Sequence, residues 1–519
     1  MTVNSLIPII FVILTLGLKN IYAAPIVIGS KKFTESVLLG EILSILLEKK
    51  FNAKVSRKFG LGGTKIAFDA LVNGDIDTYP EYTGTGYVMI LKLDGERNPL
   101  SVFNIVNTRF KKNWNIEWSQ PLGFNNTYAL AVRKNDNRFK FKHQISDLSG
   151  RMERIKYAAP YEFMERKDGH NRFSRHYNFN LKPDNIISME AGLMYSAIND
   201  QAVDMIIVYS TDGRIKSSSL RLLKDNKSFF PPYYASFLFN QSAKKTKPML
   251  TKAIKQLEGM ISEKDMVEMN DLVDRLKQEP YSVANNFLIK KEIIKEKPLA
   301  TKENMSFLSF AYSKRTYLLK LLWEHLTISI VALFLGCLIS LPSGILLTRY
   351  QQYGKIVFPV INIIQTIPSV ALLGFLIPLL GIGFYPAMVT LFLYSLLPLI
   401  RNTYSGILSV EKFYIEAARG IGLTNLQILL KIEIPLALPI VLAGVRTAAI
   451  IIIGTATLAA LIGAGGFGDP IFRGVATVNT NLILIGAIPA ALLAIIVDQM
   501  IGLMESSLLS DGIKLNKIH

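Results

Sequence analysis

Two kinds of patterning divide the chain. Residues 25 to about 320 mix apolar and charged positions in short blocks, whereas residues 327 to 505 are mostly apolar and sparsely charged. In the first part, IVIGSKKFTESVLLGEILSILLEKKF opens as a short apolar strand and passes into helical spacing. Val37, Leu38, Ile42, Leu43, Ile45, Leu46 and Leu47 then form one broad apolar face. AKVSRKFGLGGTKIAFDALVNGDIDTYPEY repeats the order of strand, glycine turn, helix and strand, ending near Tyr79, and TYALAVRKND and AVDMIIVYST read as further buried strands. Strands alternating with helices predict an α/β domain with a largely parallel sheet. The charged stretch KTKPMLTKAIKQLEGMISEKDMVEMNDLVDRLKQ predicts amphipathic helices closing that domain, and residues 291–317 read as a linker.

The apolar part divides into membrane spans. Thr327 to Thr348 is one, followed by Arg349. Ile356 to Ile400 holds no charged residue and is too long for one span, so GIGFYP is expected to break it into two. Ile434 to Gly463 and Leu482 to Met504 complete a set of five. Arg349, Lys355, Arg401, Lys412, Arg419, Lys431, Lys514 and Lys517 then share one side, which their charge marks as cytoplasmic. The first span begins outside. Residues 1–24 carry an apolar run, Leu6 to Leu18, too short to span and suited to a signal peptide or an anchor. Both signals export the α/β domain. Arg446 falls inside a span and so is a functional candidate, but its nearness to the cytoplasmic end favours simple snorkelling instead.

Composition adds exclusions. The net charge of +18 comes without a nucleic-acid recognition motif and is read as a Lys-rich surface plus cytoplasmic loops. The single cysteine, Cys337, has no partner for a disulfide or a metal. Five histidines supply no nucleophile–base or metal-ligand constellation, so an enzyme is not expected. GLGGTK, Gly60 to Lys65, lacks the spacing of a nucleotide-binding loop.

The charged loop of the membrane part contains EAARGIGLTNLQILLKIEIPLALP. Glu416, Ala417 and Ala418 are followed at fixed spacing by Gly422, Ile432 and Pro435. This resembles the coupling loop of binding-protein-dependent permeases of ABC importers, and NIIQTIPSVALLGFLIPLLGIG and LIGAGGFGDPI resemble permeases for quaternary amines. The resemblance implies a separate ATPase subunit that supplies ATP hydrolysis, contacts at Glu416 to Ala418 and Gly422, and two copies of the chain forming the pore. No cofactor is expected in this chain.

IGSKKFTESVLLGEIL, GLGGTKIAFDAL, GDIDTYPEYTGTGY, NNTYALAV and VYSTDGRI, in that order, resemble the extracytoplasmic binding proteins for glycine betaine, carnitine and choline. A trimethylammonium group offers diffuse charge and no hydrogen-bond donor, so aromatic faces recognise it. The resemblance implies a cage of Tyr82, Tyr128, Tyr209 and Tyr233, with Tyr234 the alternative to Tyr233 and Lys32 the competitor of Lys31 at the polar end. It places a ligand's polar end at Thr85, Arg166 and Lys31, with Gly84 and Gly86 as a turn presenting Tyr82. Ser36 departs from the family, where Gln is common.

The expected architecture is an N-terminal α/β domain of the two-lobed periplasmic-binding-protein fold, residues 25–290, with crossings near 129–134 and 232–238. An all-α membrane domain of about five transmembrane helices, of ABC importer permease type, follows over 318–510, with its coupling loop at 411–435. The expected function is the binding and permease subunit of an importer for quaternary ammonium osmoprotectants in a bacterial inner membrane. The alternatives are a polar amino acid as cargo, or a ligand-gated receptor or channel.

Overall fold

The alternating half of the chain folds as two five-stranded sheets. A computed structural model describes residues 25–508 other than 167, 297, 299–305 and 478; the expected leader lies outside the described residues. The strands are β1 (Ile26–Lys31), β2 (Val55–Leu61), β3 (Thr78–Tyr82), β4 (Ile116–Trp118), β5 (Tyr128–Arg133), β6 (Tyr157–Pro160), β7 (Ile186–Met189), β8 (Met205–Tyr209), β9 (Leu220–Leu223) and β10 (Ala235–Asn240). One lobe holds the order β2-β1-β3-β10-β4 and the other β7-β6-β8-β5-β9.

Neither sheet is largely parallel. β1 is parallel to β2 and β3, and β6 to β7 and β8, whereas β10 and β5 run antiparallel to their neighbours. Those two strands enter each lobe directly from the other, so they arrive in the opposite direction. The crossings lie at 119–127 and 224–234, joined by an isolated bridge between Asn125 and Tyr234. The segment 129–134 expected as a crossing is therefore β5 itself, and of 232–238 only 232–234 lies on a crossing, the rest being β10. An apolar run fixes a buried strand, but not the residue at which the chain changes lobes.

Helix α1 (Thr34–Phe51) is capped by Asn52 in the left-handed conformation. Leu38, Leu39, Ile42, Leu43, Ile45, Leu46 and Leu47 are all fully buried, because helices α2 (Pro248–Leu257), α3 (Glu263–Asp274) and α4 (Pro280–Lys290) cover the side away from the sheet. A helix apolar on most of its circumference belongs inside.

The apolar half holds four helices long enough to cross a membrane: Arg315–Arg349, Phe384–Leu408, a run from Asn425 to Ile462, and Thr480–Glu505. A fifth span is the pair Gln351–Thr366 and Ser369–Leu380, bent by 97°. The bend falls at Ile367 and Pro368, where a proline without an N–H interrupts the helix. GIGFYP breaks the long apolar stretch as expected, since Gly381 and Gly383 take positive φ before the helix resumes at Phe384. The first span starts at Arg315, earlier than Thr327, because the polar turn before it continues the helix and Lys320 pairs with Glu324 four residues on.

The two halves meet at one end of the helical bundle. Leu61, Leu71 and Ile76 share an apolar cluster with Ile377, Ile382 and Ile462. Gly62 donates its N–H to the carbonyl of Leu461 at 2.9 Å, and the Asp75 carboxylate accepts the N–H of Ile382 at 3.0 Å. The helix Phe384–Leu408 runs from this contact to the charged loop at the other end.

Candidate ligand-binding cleft

Strand pairing brings the tyrosines together. Tyr128, at the start of β5, lies directly opposite Tyr209, at the end of β8; their ring centroids are 5.2 Å apart. Tyr82 ends β3 opposite Ala235. Tyr233 stands on the second crossing, its N–H bonded to the Asn125 side chain at 2.7 Å, and its ring meets Tyr128 edge-on at 5.8 Å. Phe33 joins Tyr82 to Tyr209, at 6.2 and 6.0 Å respectively. Tyr82, Phe33, Tyr209, Tyr128 and Tyr233 therefore form one continuous arc between the lobes. Phe33 was not expected from the sequence; its place in the link between β1 and α1 was the only available signal.

The glycines beside Tyr82 do not make a turn. Thr83–Thr85 is helical and Gly86 has φ of −58°. They serve close approach instead: a Cβ on Gly84 would lie 2.6 Å from the Tyr233 ring, and one on Gly86 2.5 Å from Trp118. Thr85 is buried in this short helix. Tyr79 and Tyr87 are packing residues, bonded to Glu81 and to the carbonyl of Asp94.

Two side-chain cations face the arc. Arg166 lies over Tyr128 at 5.3 Å and Tyr233 at 5.5 Å. Its Nε and Nη2 each donate to Asp168 at 2.8 Å, and Nη2 also donates to the Tyr233 hydroxyl at 2.5 Å. One fork of the guanidinium is thus engaged by Asp168. Burial disfavours the charge of Arg166, but Tyr128, Asp168 and Glu162 more than offset this and raise its pKa. Lys31 pairs with Glu81 at 2.5 Å and stands over Phe33 and Tyr82 at 5.3 and 5.1 Å. Lys32 lies outside the arc and bridges the lobes to Glu190 at 3.0 Å. Ser36 accepts the Lys31 N–H at 2.9 Å.

A second polar cluster ties the lobes beside the arc. Arg214 holds Asp212 through two hydrogen bonds of 2.9 and 2.7 Å and lies over the Tyr195 ring. Asp274, across the cleft, takes the Thr34 hydroxyl and approaches Arg214 at 3.7 Å. Burial lifts the Asp274 carboxyl to about 6 despite the nearby Arg214. Among the described residues no group of His, Cys, Asp or Glu is arranged to hold a metal ion.

Residues 24–290 match the substrate binding domain of the ABC-type glycine betaine transport system, and residues 332–509 match the inner membrane component of binding-protein-dependent transport systems. The chain belongs to these two families, fused. It is an ABC importer subunit carrying a binding domain and a permease domain in one polypeptide, and an integral membrane protein. It is similar to a choline transport system permease protein of Bacillus subtilis, with 46% identity over 192 residues, 37% of this chain and 88% of the relative. It is also similar to an ergothioneine transport permease and binding protein of Helicobacter pylori, with 36% identity over 268 residues, 51% of this chain and 47% of the relative. A solved glycine betaine/carnitine/choline ABC transporter structure matches at 31% identity and a TM-score of 0.46, covering 52% of this chain and all of that one.

In the permease domain, Glu416, Ala417 and Ala418 lie on the helix Lys412–Gly420. Gly422 follows with φ of +85°, and a capping box of Thr424 and Gln427 starts the next helix. Phe413, Ile421 and Leu426 are 71%, 80% and 64% exposed at this end. Arg349, closing the first span, pairs with buried Glu433. Arg446 pairs with Asp498 of the last span, with its side chain still exposed.

Proposed function

We propose that the chain binds quaternary ammonium compounds in the interlobe cleft and passes them through its own membrane helices. The observation that carries this reading is the arc of five aromatic rings between the lobes of a glycine betaine-type binding domain. Each desolvated ring face contributes on the order of 0.5 to 2 kcal/mol to holding a cation. The cage is Tyr82, Tyr128, Tyr209 and Tyr233, completed by Phe33, with Thr85, Lys31 and Arg166 beside it. The binding domain is residues 25–290 and the permease domain 318–510.

The binding domain lies outside the membrane and the coupling loop 411–435 in the cytoplasm. They sit at opposite ends of the helix Phe384–Leu408, and the basic residues collect at the coupling-loop end. A separate ATPase engages Glu416 to Gly422, where exposed apolar side chains suit a protein partner. Two copies of the chain form the pore. Calorimetry on the full chain in lipid nanodiscs with choline, glycine betaine, carnitine and ergothioneine tests the cargo. Heat from a polar amino acid, and from none of these amines, would sink the reading.

A further inference from the structure

The first limb of the bent span, Gln351–Thr366, carries three kinds of surface around its axis. Gly354 and Ile361 are buried, and Ile361 joins Val357 and Phe358 in an apolar cluster with Leu347 and Ile400 of neighbouring spans. Tyr353, Ile356, Val360 and Ile363 are exposed. Spaced by three and four residues, they make one apolar line along the helix, suited to lipid. Gln352, Lys355, Pro359, Asn362 and Thr366 are exposed as well, at the same spacing, and make a second line beside the first. Every side chain on this second line is polar or proline.

Lipid is the wrong surroundings for that line. Gln352 and Lys355 stand in the first turns, where long side chains reach the interface. Asn362 stands about 16 Å along a helix that starts at Gln351, roughly half the hydrocarbon thickness. Its amide makes no hydrogen bond among the described residues, and a bare amide in hydrocarbon is costly. The backbone adds acceptors beside it. Pro359 has no N–H, so the carbonyl of Lys355 lacks its helical donor. The helix ends at Thr366, and the carbonyls of a helix end carry partial negative charge. The break is fastened in place: Gln365 Nε2 donates to the Tyr394 carbonyl at 3.1 Å, and the Tyr394 hydroxyl donates to the carbonyl of Ile367.

We propose that Lys355, Pro359, Asn362 and Thr366 line the water-filled path through the membrane domain, with Asn362 and the carbonyls beside the break at its inner end. The inference rests on the reading above only in that a ligand crosses these helices. Amide and carbonyl oxygens offer a quaternary ammonium group weak acceptors without a fixed charge to trap it. Lys355 stands at the coupling-loop end of the line, where its like charge favours release of a cation.

The test labels cysteines in the full chain in lipid nanodiscs. Cys337 is the single cysteine, so Cys337→Ser gives a background without thiols. Asn362→Cys and Thr366→Cys report on the polar line, Val360→Cys and Ile363→Cys on the apolar line. Each is treated with trimethylammonioethyl methanethiosulfonate, whose fixed charge keeps it out of hydrocarbon, and the adduct is followed by mass spectrometry. The polar-line cysteines are expected to react about tenfold or more faster than the apolar-line ones. Equal rates on the two lines overturn the inference. So does Asn362→Cys forming disulfide-linked dimers in place of the adduct, the behaviour of a contact between two copies. Asn362→Leu is expected to lower uptake of radiolabelled choline into cells severalfold with choline affinity unchanged, and full uptake by this variant overturns the inference. No choline uptake by the unaltered chain sinks the cargo reading instead, and the labelling rates, measured without ligand, then decide the path alone.

Discussion

Tyr82 gathers several roles on one side chain: it ends β3, closes one side of the arc and donates to Glu35. Tyr82→Ala is expected to weaken quaternary-amine binding about tenfold or more, the worth of one desolvated cation–π face; unchanged affinity in a titration removes it from the cage. Arg166 teaches the opposite lesson. Removing it strands Asp168, which is buried, and an unpaired buried charge costs about 3–5 kcal/mol. Arg166→Ala should therefore lower the thermal midpoint by several degrees, and adding Asp168→Ala should restore most of it; no drop in the single variant would show that the pair is not structural. Asp274 predicts a pH effect. Its folded pKa of about 6 lies above the unassociated 3.8, so the folded state holds the proton more tightly and this residue favours folding at low pH. The gain is complete below 3.8 and is lost as pH rises through about 6. Thermal melts at pH 5 and pH 7 should show a smaller low-pH advantage for Asp274→Asn than for the unaltered chain. The four tyrosines came from the resemblance, and the fold brings their rings together because each stands at a strand end or on a crossing. Phe33, the bond from Tyr82 to Glu35 and the Arg446–Asp498 pair were not legible, because each contact joins residues whose proximity only the tertiary fold creates.

At the scale of elements, the pattern placed β1, β2, β3, β5, β8 and the spans, but it took most of β10 for a crossing and misjudged how the elements join. Periodicity reports which residues are buried; it carries no sign for strand direction, and so the antiparallel run of β5, and of β10 where a crossing was expected, is not legible in it. It also marked the proline-containing second span as continuous, where the chain bends by 97°. The lower limb of that bend, Ser369–Leu380, packs against the helix Thr64–Val72 of the binding domain. Its terminal turn is held by Asp75, whose carboxylate accepts the Ile382 N–H and would lie 2.7 Å from a Cβ on Gly381. Gly381 also has φ of +73°. This turn is thus where the binding domain grips a bent span. Asp75→Ala should leave ligand affinity unchanged and lower uptake of radiolabelled ligand into cells, while Asp75→Asn, which keeps an acceptor, should retain most uptake. Equal uptake in Asp75→Ala and the unaltered chain would mean that the grip does not matter for transport.

Across the whole molecule, the ligand cleft and the coupling loop occupy opposite ends of one bundle, so a change at one end must travel through the spans to be felt at the other. The fused binding domain needs no encounter from solution; its tether holds it at high effective concentration near its permease. On the proposed reading, the step that remains is the one at the loop 411–435. Gly422 isolates that step. Its φ of +85° is costly for any side chain, yet nothing lies within 4 Å of a Cβ placed there, so Gly422→Ala acts through the backbone alone, at about 1–2 kcal/mol. Gly420, two residues earlier, also has open space, but it ends a helix without positive φ. Gly422→Ala should therefore reduce co-purification of the partner ATPase and uptake together, with choline affinity unchanged, while Gly420→Ala alters none of the three. If both variants lose the ATPase, the loop is sensitive to any added methyl group and the turn has no special role. If neither does, the ATPase is held elsewhere, and the exposed Phe413, Ile421 and Leu426 become the side chains to change.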